Sequence, residues 1–280
     1  MTMRLRVVHT TRYTYGSPVT SSYNEARLTP QTTPSQTTLE AVVRTNPTTT
    51  VLRYHDYWGT QVTAFDLHAP HDRLEVVASS LVETAPVPDP DETVGWDVLG
   101  SDGTRDQFSE LLAATPYTTP DASMDDVCAE VAGQPDPVSA VHAASGLVRE
   151  HLTYRPGATG VATTAAEAWR KRTGVCQDFA HLTVALLRQA GIPARYVSGY
   201  LHPAVEPVVG ETVVGESHAW VEAWVGGWLA IDPTNGAAVD ERHVTVGKAR
   251  DYRDVSPLRG VYAGSGRSSL RVEVQITRLR

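Results

Sequence analysis

The first eighty residues of the chain alternate between apolar and polar side chains. Residues 5–9 and 39–43 follow the period of two that is typical of half-buried strands. Proline cannot donate a hydrogen bond into a central ladder, so the prolines here mark turns between strands: Pro30, Pro34, Pro47 and Pro70. We therefore predict an antiparallel β domain over 1–85. The same alternation returns at 270–277, which predicts one more half-buried strand.

A proline-rich segment follows this β region. Residues 84–91 read Thr-Ala-Pro-Val-Pro-Asp-Pro-Asp, with three prolines in eight positions, a composition that favours an extended and semi-rigid connector. We assign 86–95 as a linker and 96–280 as a second domain.

Helical spacing replaces the alternation beyond the linker. Asp136-Pro137 is a helix-start signal and predicts a helix over 138–151. Thr164 followed by Glu167 has the spacing of a capping box, which predicts a short helix over 165–171 that stops at Gly174. The second domain thus mixes helices with strands, and the chain as a whole is predicted to be α+β.

A longer amphipathic helix is predicted over 177–190. Its apolar residues recur at intervals of three and four: Phe179, Leu182, Leu186, Leu187 and Ala190. Gly191 suits a left-handed cap and Pro193 forbids continuation, so the chain then enters an apolar strand over 194–201. Cys176 consequently lies at the amino terminus of this helix.

Two strands with a glycine turn are predicted over 218–232. In 218–225 and 228–232 the odd positions are nearly all apolar, whereas polar and aromatic side chains occupy even positions: His218, Trp220, Glu222, Trp224, Trp228 and Asp232. A two-residue Gly-Gly loop would place His218 and Asp232 on opposite faces. A three-residue loop over 225–227 pairs Trp224 with Trp228 and sets Asp232 diagonal to His218. We predict the three-residue turn.

Composition narrows the class of protein. The 280 residues are 41% hydrophobic, enough for a substantial core, and the net charge of −8 comes without any long basic run. Nucleic acid is therefore an unexpected partner. We see no membrane span and no secretory signal, and the two cysteines, far apart, favour free thiols in a reducing compartment. We expect a cytoplasmic protein whose oligomeric state the sequence leaves open.

The candidate chemistry is that of a thiol nucleophile. At a helix start, free N–H groups and the helix dipole stabilise negative charge, which favours thiolate, and the Cys176 N–H can also donate to an oxyanion. His218 is the candidate base and Asp232 the group that orients it, with Glu222 as a competing orienter. The alternatives are a buried apolar cysteine, a structural histidine and a turn aspartate.

Other residues receive weaker assignments. Cys128, in a helical stretch, is interpreted as structural. Ten histidines show no metal-ligand spacing, and we see no phosphate-binding or calcium-binding loop, so we predict neither a metal nor another cofactor.

Four blocks of sequence resemble the bacterial transglutaminase-like superfamily: 173–181 (TGVCQDFAH), 191–200 (GIPARYVSGY), 218–222 (HAWVE) and 232–236 (DPTNG). The resemblance implies a papain-like α+β core preceded by a β-rich region, with Cys176, His218 and Asp232 as the catalytic triad. It also implies a thioester intermediate on the cysteine.

The resemblance leaves the reaction partly open. The same triad serves amide cross-linking, peptide hydrolysis or deamidation, and a catalytically silent peptide-binding module is a further alternative. A protein or peptide substrate and an amine acceptor are the partners that it implies. Tyr154, Gln177 and Trp220 are candidate oxyanion donors or cleft residues, against the alternative that they pack structurally.

Overall fold

The computed structural model describes residues 2–215 and 217–280 and has the predicted mixed α+β class. The strands in chain order are β1 (Met3–Val19), β2 (Ser21–Ala26), β3 (Gln36–Asn46), β4 (Val51–His55), β5 (Gln61–Leu67), β6 (His71–Thr84), β7 (Thr153–Tyr154), β8 (Thr173–Gly174), β9 (Ala194–Leu201), β10 (Thr212–Gly215), β11 (Ser217–Trp224), β12 (Trp228–Asp232), β13 (Ala237–Ala238), β14 (His243–Ala249), β15 (Leu258–Ala263) and β16 (Ser268–Arg278).

All the helices except the last lie between β6 and β9 along the chain. They are α1 (Trp96–Leu99), α2 (Asp102–Gln107), α3 (Ser109–Leu112), α4 (Asp125–Ala132), α5 (Pro137–His151), α6 (Ala165–Lys171), α7 (Cys176–Gln189) and α8 (Tyr252–Val255), with a 3-10 turn at Ala122–Met124. The predicted α5 and α6 are confirmed, including the Asp136 cap and the Thr164–Glu167 capping box. The left-handed residue after α6 is Arg172, with φ 55°, rather than Gly174. None of the helices in the described ranges is long and apolar enough to cross a membrane.

The amino-terminal strands form a two-layer sandwich. One sheet has the order β10-β16-β1-β6-β3 and the other has the order β15-β2-β5-β4. Strand β6 shows why these segments become strands, since its residues alternate almost without exception between buried and more exposed positions. The buried side chains fill the space between the sheets, with Phe65, Leu74 and Val76 among them.

A third antiparallel sheet, with the order β13-β12-β11-β9-β14, carries the helices. Helix α7 lies against β11 and β9, and α4, α5 and α6 pack around it. Every described residue of α7 from Gln177 to Arg188 is buried, so this helix is the centre of the core rather than a surface element. The position of Cys176 is therefore fixed by the best-packed part of the molecule.

The predicted hairpin register is confirmed. Trp224 pairs with Trp228, and the N–H of Val225 donates to the carbonyl of Gly227 at 2.9 Å. Gly226 has φ +108°, a conformation that L side chains rarely adopt, which explains a glycine at this turn. Continuing the register places Asp232 opposite Trp220 and diagonal to His218, on the face away from α7.

The sheets do not follow the predicted division of the chain into 1–85, 86–95 and 96–280. Strand β16 pairs with β1 over eleven positions, and β15 pairs with β2, so carboxyl-terminal strands complete both amino-terminal sheets. Alternation along 270–277 identified a strand but could not identify its partner. The division into two domains and a linker stays a prediction.

A substitution in β16 tests whether the two parts unfold together. Ile276 is fully buried in a cluster that also contains Leu5 and Val82 of the sandwich and Val244 of the helix-bearing sheet. We expect Ile276→Ala to lower the free energy of unfolding by about 2–5 kcal/mol, because it leaves a cavity shared by both parts. Urea unfolding followed by tryptophan fluorescence and by circular dichroism should give one coincident, shifted transition.

The matched control lies in the same strand. Leu270 is 56% exposed, and Leu270→Ala should leave the midpoint nearly unchanged. Two separate transitions in the Ile276→Ala protein, only one of them shifted, would show instead that the parts fold independently.

Candidate active site

Cys176 is the first residue of α7. The preceding residue, Val175, is extended and its carbonyl accepts from the N–H groups of Asp178 at 2.8 Å and Phe179 at 3.2 Å. The N–H groups of Cys176 and Gln177 have no intrahelical acceptor, as expected at a helix start. The thiol is partly exposed, and its sulfur lies 3.9 Å from the carbonyl oxygen of Ser217 on β11.

The carboxylate of Asp178 holds the start of this helix in place. One of its oxygens accepts from the Val175 N–H at 2.8 Å and from the Thr159 hydroxyl at 2.6 Å. A side chain at Gly174 would place its Cβ 2.7 Å from the Asp178 Cβ, so glycine is required there for close approach. Burial raises the pKa of Asp178, and these two hydrogen bonds oppose the shift.

His218 on β11 and Asp232 on β12 form the central contact of the site. The Nε2 atom of His218 lies 2.7 Å from Oδ2 of Asp232, and the aspartate side chain is fully buried while that of His218 is 10% exposed. The Cys176 thiol lines the same cleft as the imidazole and, together with Asp232, helps to raise the pKa of His218. Because Nε2 is engaged by Asp232, Nδ1 is the nitrogen left for the thiol.

This arrangement raises the pKa of His218. Burial alone would lower the pKa of the imidazole, but hydrogen bonds to Asp232 and Cys176 and the charges of both groups outweigh it and raise the pKa to about 9. Proton transfer from the thiol to His218 thus produces an imidazolium that the site stabilises.

Asp232 accepts hydrogen bonds on both carboxylate oxygens. Oδ1 accepts from the backbone N–H groups of Thr234 at 3.0 Å and Asn235 at 3.2 Å, and Oδ2 accepts from the Asn235 amide at 2.7 Å. Burial would raise the pKa of Asp232, but these donors and the two histidines keep it well below its usual range. The turn over residues 232–236 (DPTNG) therefore reverses the chain and also supplies the donors that hold the Asp232 carboxylate.

A second histidine, His243, also reaches Asp232. Its Nε2 lies 3.3 Å from Oδ2, and its Nδ1 lies 3.1 Å from both the backbone nitrogen and Oδ1 of Asp240. Burial would lower the pKa of His243, and hydrogen bonds to Asp232 and Asp240 raise it overall. Sequence reasoning missed this residue, because it begins β14, which is not adjacent in the sheet to the strands of His218 and Asp232.

A cleft of about 290 Å³ opens beside the thiol. Tyr154 and Gln177 both line it, as do Cys176 and His218. The Gln177 amide nitrogen donates to the Val161 carbonyl at 3.1 Å, so it helps to hold the opposite wall. Tyr154 is 43% exposed at the rim. The roles of Tyr154 and Gln177 as oxyanion donors stay predictions.

The predicted place of Trp220 in the cleft is wrong. Its side chain is completely buried behind the triad, where the indole ring packs against the imidazole of His243 at 5.2 Å between centroids. Gly199 leaves room for it, since a Cβ there would lie 2.6 Å from the indole. The period-two pattern correctly predicts that Trp220, His218 and Asp232 share one face of the hairpin. It does not predict that other residues bury the Trp220 side chain.

Other residues on this face have structural partners. Trp224 and Trp228 pack against Phe108 at the hairpin end. Glu222, the competing orienter, pairs with Arg195 and with Lys248, the latter at 2.7 Å, so Asp232 is the carboxylate that holds His218.

Cys128 is buried in the helical core, as its structural interpretation predicts. Burial, reinforced by the charge of Asp125, raises the pKa of its thiol.

The three residues His218, Asp232 and His243 also have ligand atoms within 4.8 Å of one another, a spacing that a metal ion could use. Their hydrogen bonds already account for this closeness. A catalytic zinc site also needs an open position, and a buried carboxylate between two imidazoles does not provide one. We therefore assign the group to hydrogen bonding.

Comparison with known families agrees with this geometry. Residues 125–233 match the model described as the transglutaminase-like superfamily, and residues 5–83 match the bacterial transglutaminase-like N-terminal region. An uncharacterized protein of Mycobacterium leprae is 50% identical over 276 residues, which cover 99% of both chains. The chain belongs to the transglutaminase-like superfamily.

Two further similarities were found for this superfamily member. A protein-glutamine gamma-glutamyltransferase of Pseudomonas aeruginosa is 40% identical over 86 residues, which cover 29% of this chain and 13% of that protein. The crystal structure of a candidate cysteine protease from Cytophaga hutchinsonii superposes with a TM-score of 0.81 at 23% identity, covering 100% of this chain and 92% of that one. The likeness establishes a common fold over the whole chain.

Proposed function

We propose that this protein is an acyl-transfer enzyme that acts on protein or peptide carboxamides through a thioester on Cys176. The observation that carries the proposal is the position of the His218 imidazole, which lies 2.7 Å from the buried Asp232 carboxylate and lines the same cleft as the Cys176 thiol, whose proximity helps to raise the pKa of His218. A structural histidine does not need a nucleophile on one nitrogen and a carboxylate on the other.

The steps follow from these contacts. The proton of the Cys176 thiol resides on His218 as the imidazolium, and the sulfur forms a bond to the carbonyl carbon of the substrate. The tetrahedral oxyanion accepts from the Cys176 N–H at the helix start. The imidazolium then protonates the departing nitrogen, the carbon–nitrogen bond breaks, and ammonia or an amine leaves. A primary amine or water next attacks the thioester, loses its proton to His218, and releases the acyl product and the thiol.

The lining of the cleft favours a neutral acyl donor. Among the described residues that line it there is no Asp, Glu, Lys or Arg, and burial raises the pKa of Tyr196 and Tyr252, which remain neutral phenols. Enclosing a charged side chain here would cost more free energy than enclosing a carboxamide. A glutamine side chain has that chemistry, and the Pseudomonas relative is a glutamyltransferase by name.

Hydrolysis of a peptide or amide bond is the second form of this proposal, since it uses the same thioester and differs only in the acceptor. Supplying a glutamine-bearing protein with and without a primary amine separates the outcomes. Amine incorporation seen by mass spectrometry indicates transfer, ammonia release alone indicates deamidation, and a new peptide amino terminus indicates proteolysis.

Alkylation tests the activated thiol without a known substrate. At pH 7 an unassisted thiol is only a few per cent thiolate, so we expect iodoacetamide to label Cys176 about 10-fold faster in the native protein than in His218→Ala. Peptide mapping by mass spectrometry gives the rate at residue 176. Cys128, 8% exposed, is the internal control and should stay unlabelled in the folded protein.

Equal rates in the two proteins would argue against the enzyme and for a catalytically silent peptide-binding module. Circular dichroism of His218→Ala is needed alongside, because an unfolded variant would expose both cysteines. Labelling of Cys128 reports such unfolding directly.

A further inference from the structure

The carboxylate of Asp232 is shared between two imidazoles. Oδ2 lies 2.7 Å from Nε2 of His218 and 3.3 Å from Nε2 of His243. His243 is itself fixed from behind, because its other nitrogen meets Asp240, whose carboxylate also binds Arg242. The charged and titratable groups in contact with His243 are thus Asp232 and Asp240, with the His218 ring 6.1 Å away.

Burial makes these contacts consequential. The side chains of His243 and Asp232 are 2% and 0% exposed, and the Trp220 indole covers the His243 ring edge-on. Water cannot readily replace a hydrogen-bond donor that is lost from this buried site. A buried charged group that loses a hydrogen bond is strongly destabilised. The turn N–H groups of Thr234 and Asn235 hold Oδ1, and the Asn235 side-chain amide donates to Oδ2 at 2.7 Å. His243 adds a further restraint on Oδ2, from a different strand.

We propose that His243 is a positioning residue for the His218–Asp232 pair. By donating from Nε2, it fixes the rotation of the Asp232 carboxylate so that Oδ2 faces His218. The imidazole of His218 is then held with Nδ1 toward Cys176, and reactivity of the thiol depends on a residue that touches neither substrate nor sulfur.

Amide substitutions test this role. Gln at 243 can present its side-chain nitrogen near the position of Nε2, whereas the shorter Asn can replace only Nδ1. We expect iodoacetamide labelling of Cys176 to slow about 10-fold in His243→Asn, as one charged hydrogen bond is lost, and to recover largely in His243→Gln. The same order is expected for acylation by a glutamine-bearing protein.

The control is another buried histidine. His9 is 2% exposed and bonds Tyr200 and Thr11 in the shared core, away from the cleft. His9→Asn should lower the melting temperature without slowing the labelling of Cys176. The proposal is wrong if His243→Asn labels at the native rate, or if Gln and Asn slow it equally. Unreactive Cys176 in the native protein would count against the proposed function instead.

A separate observation concerns a cavity of about 490 Å³ beside the cleft. The two spaces share Val161 and Tyr252 as lining residues, so they are neighbours. Arg253 and Arg259 are the charged residues that line this cavity. They stand out in a chain whose net charge is −8.

The two arginines differ in their surroundings, since Arg259 lies opposite Glu25 in the pairing of β15 with β2 and its charge helps to lower the pKa of that carboxyl. Neighbouring Arg250 pairs with Asp254 at 2.8 Å, whereas no ion pair within 4.0 Å forms at Arg253 or Arg259 among the described residues. An arginine guanidinium matches a carboxylate in a two-pronged hydrogen bond. From the cavity, its position and its charge, we infer that it binds an acidic side chain of a polypeptide substrate, next to the reacting carboxamide. This inference rests on the proposed function.

Covalent peptide probes test this subsite without turnover. Three peptides with the same chloroacetamide group in place of the glutamine carboxamide carry Glu, Gln or Lys at flanking positions. We expect the Glu peptide to label Cys176 about 10-fold faster than the Lys peptide at low salt, and the preference to shrink at high salt. The double variant Arg253→Gln with Arg259→Gln should abolish it.

The matched control removes the same charge elsewhere. Arg44 and Arg271 are exposed on the sandwich, and replacing both with Gln should keep the preference for the Glu peptide. Equal labelling by all three peptides would refute the subsite. If iodoacetamide still labels Cys176 in a His218-dependent way in that case, the proposed function stands.

Discussion

Cys176→Ser is expected to reduce acyl transfer by about 10⁴-fold or more, because a serine hydroxyl at this position is a far weaker nucleophile and removal of a triad nucleophile typically leaves only background catalysis. The substitution changes one atom at a partly exposed helix start, so the fold should be kept. The measurement is ammonia release from a glutamine-bearing protein, together with mass spectrometry of the intact enzyme. A thioester adduct should appear on the native protein and disappear in the variant.

Cys128→Ser provides the comparison for Cys176. It places a hydroxyl in the helical core beside Val131 and should cost stability while leaving turnover intact. Retained activity in Cys176→Ser would place the nucleophile elsewhere and overturn the proposed mechanism.

Asp232→Asn is expected to reduce turnover by about 10³–10⁴-fold. The amide cannot stabilise the imidazolium as a carboxylate does, and it can donate to Nε2 and so favour the wrong tautomer of His218. The effect should fall on kcat rather than on substrate binding, because Asp232 is fully buried and does not line the cleft.

Asp232→Asn should also lower the pH at which His218 loses its proton. Because the pKa of His218 is raised to about 9, its ring stays protonated through neutral pH and loses the proton as the pH rises through about 9. Without the carboxylate, its hydrogen bond and its charge no longer oppose the effect of burial, so this pKa should fall. NMR titration of His218 should therefore show a midpoint near 9 in the native protein and a clearly lower one in Asp232→Asn.

A buried carboxylate elsewhere controls for general damage. Asp56 accepts from Arg27 at 2.9 Å in the sandwich, and Asp56→Asn should affect stability without moving the His218 midpoint. An unchanged midpoint in Asp232→Asn would mean that Asp232 does not set the protonation of His218.

Local pattern was enough to predict the positions of Cys176, His218 and Asp232 because each lies in a segment whose geometry is set by near neighbours. The spacing of Phe179, Leu182 and Leu186 fixes a helix and hence its first residue. The odd and even positions of the hairpin admit only one register that gathers the apolar side chains, and that register places Asp232 beside His218.

Longer-range pairings could not be predicted in this way. His243 meets Asp232 only after β13 and β14 have taken their places on opposite edges of the sheet. Alternation in β16 does not distinguish β1 from any other partner. The burial of Trp220 is likewise set by distant residues, Val239 and Val87, that no local window contains.

The pairing of β10 with β16 has a practical consequence for handling the protein. Strand β10 ends at Gly215, three positions before His218, and it is hydrogen-bonded to the final strand from Thr212 to Gly215. Clipping the tail before residue 268 would release the chain just ahead of the His218 imidazole. Protease digestion of a preparation should therefore be judged by the integrity of the carboxyl-terminal peptide before loss of turnover is ascribed to the thiol.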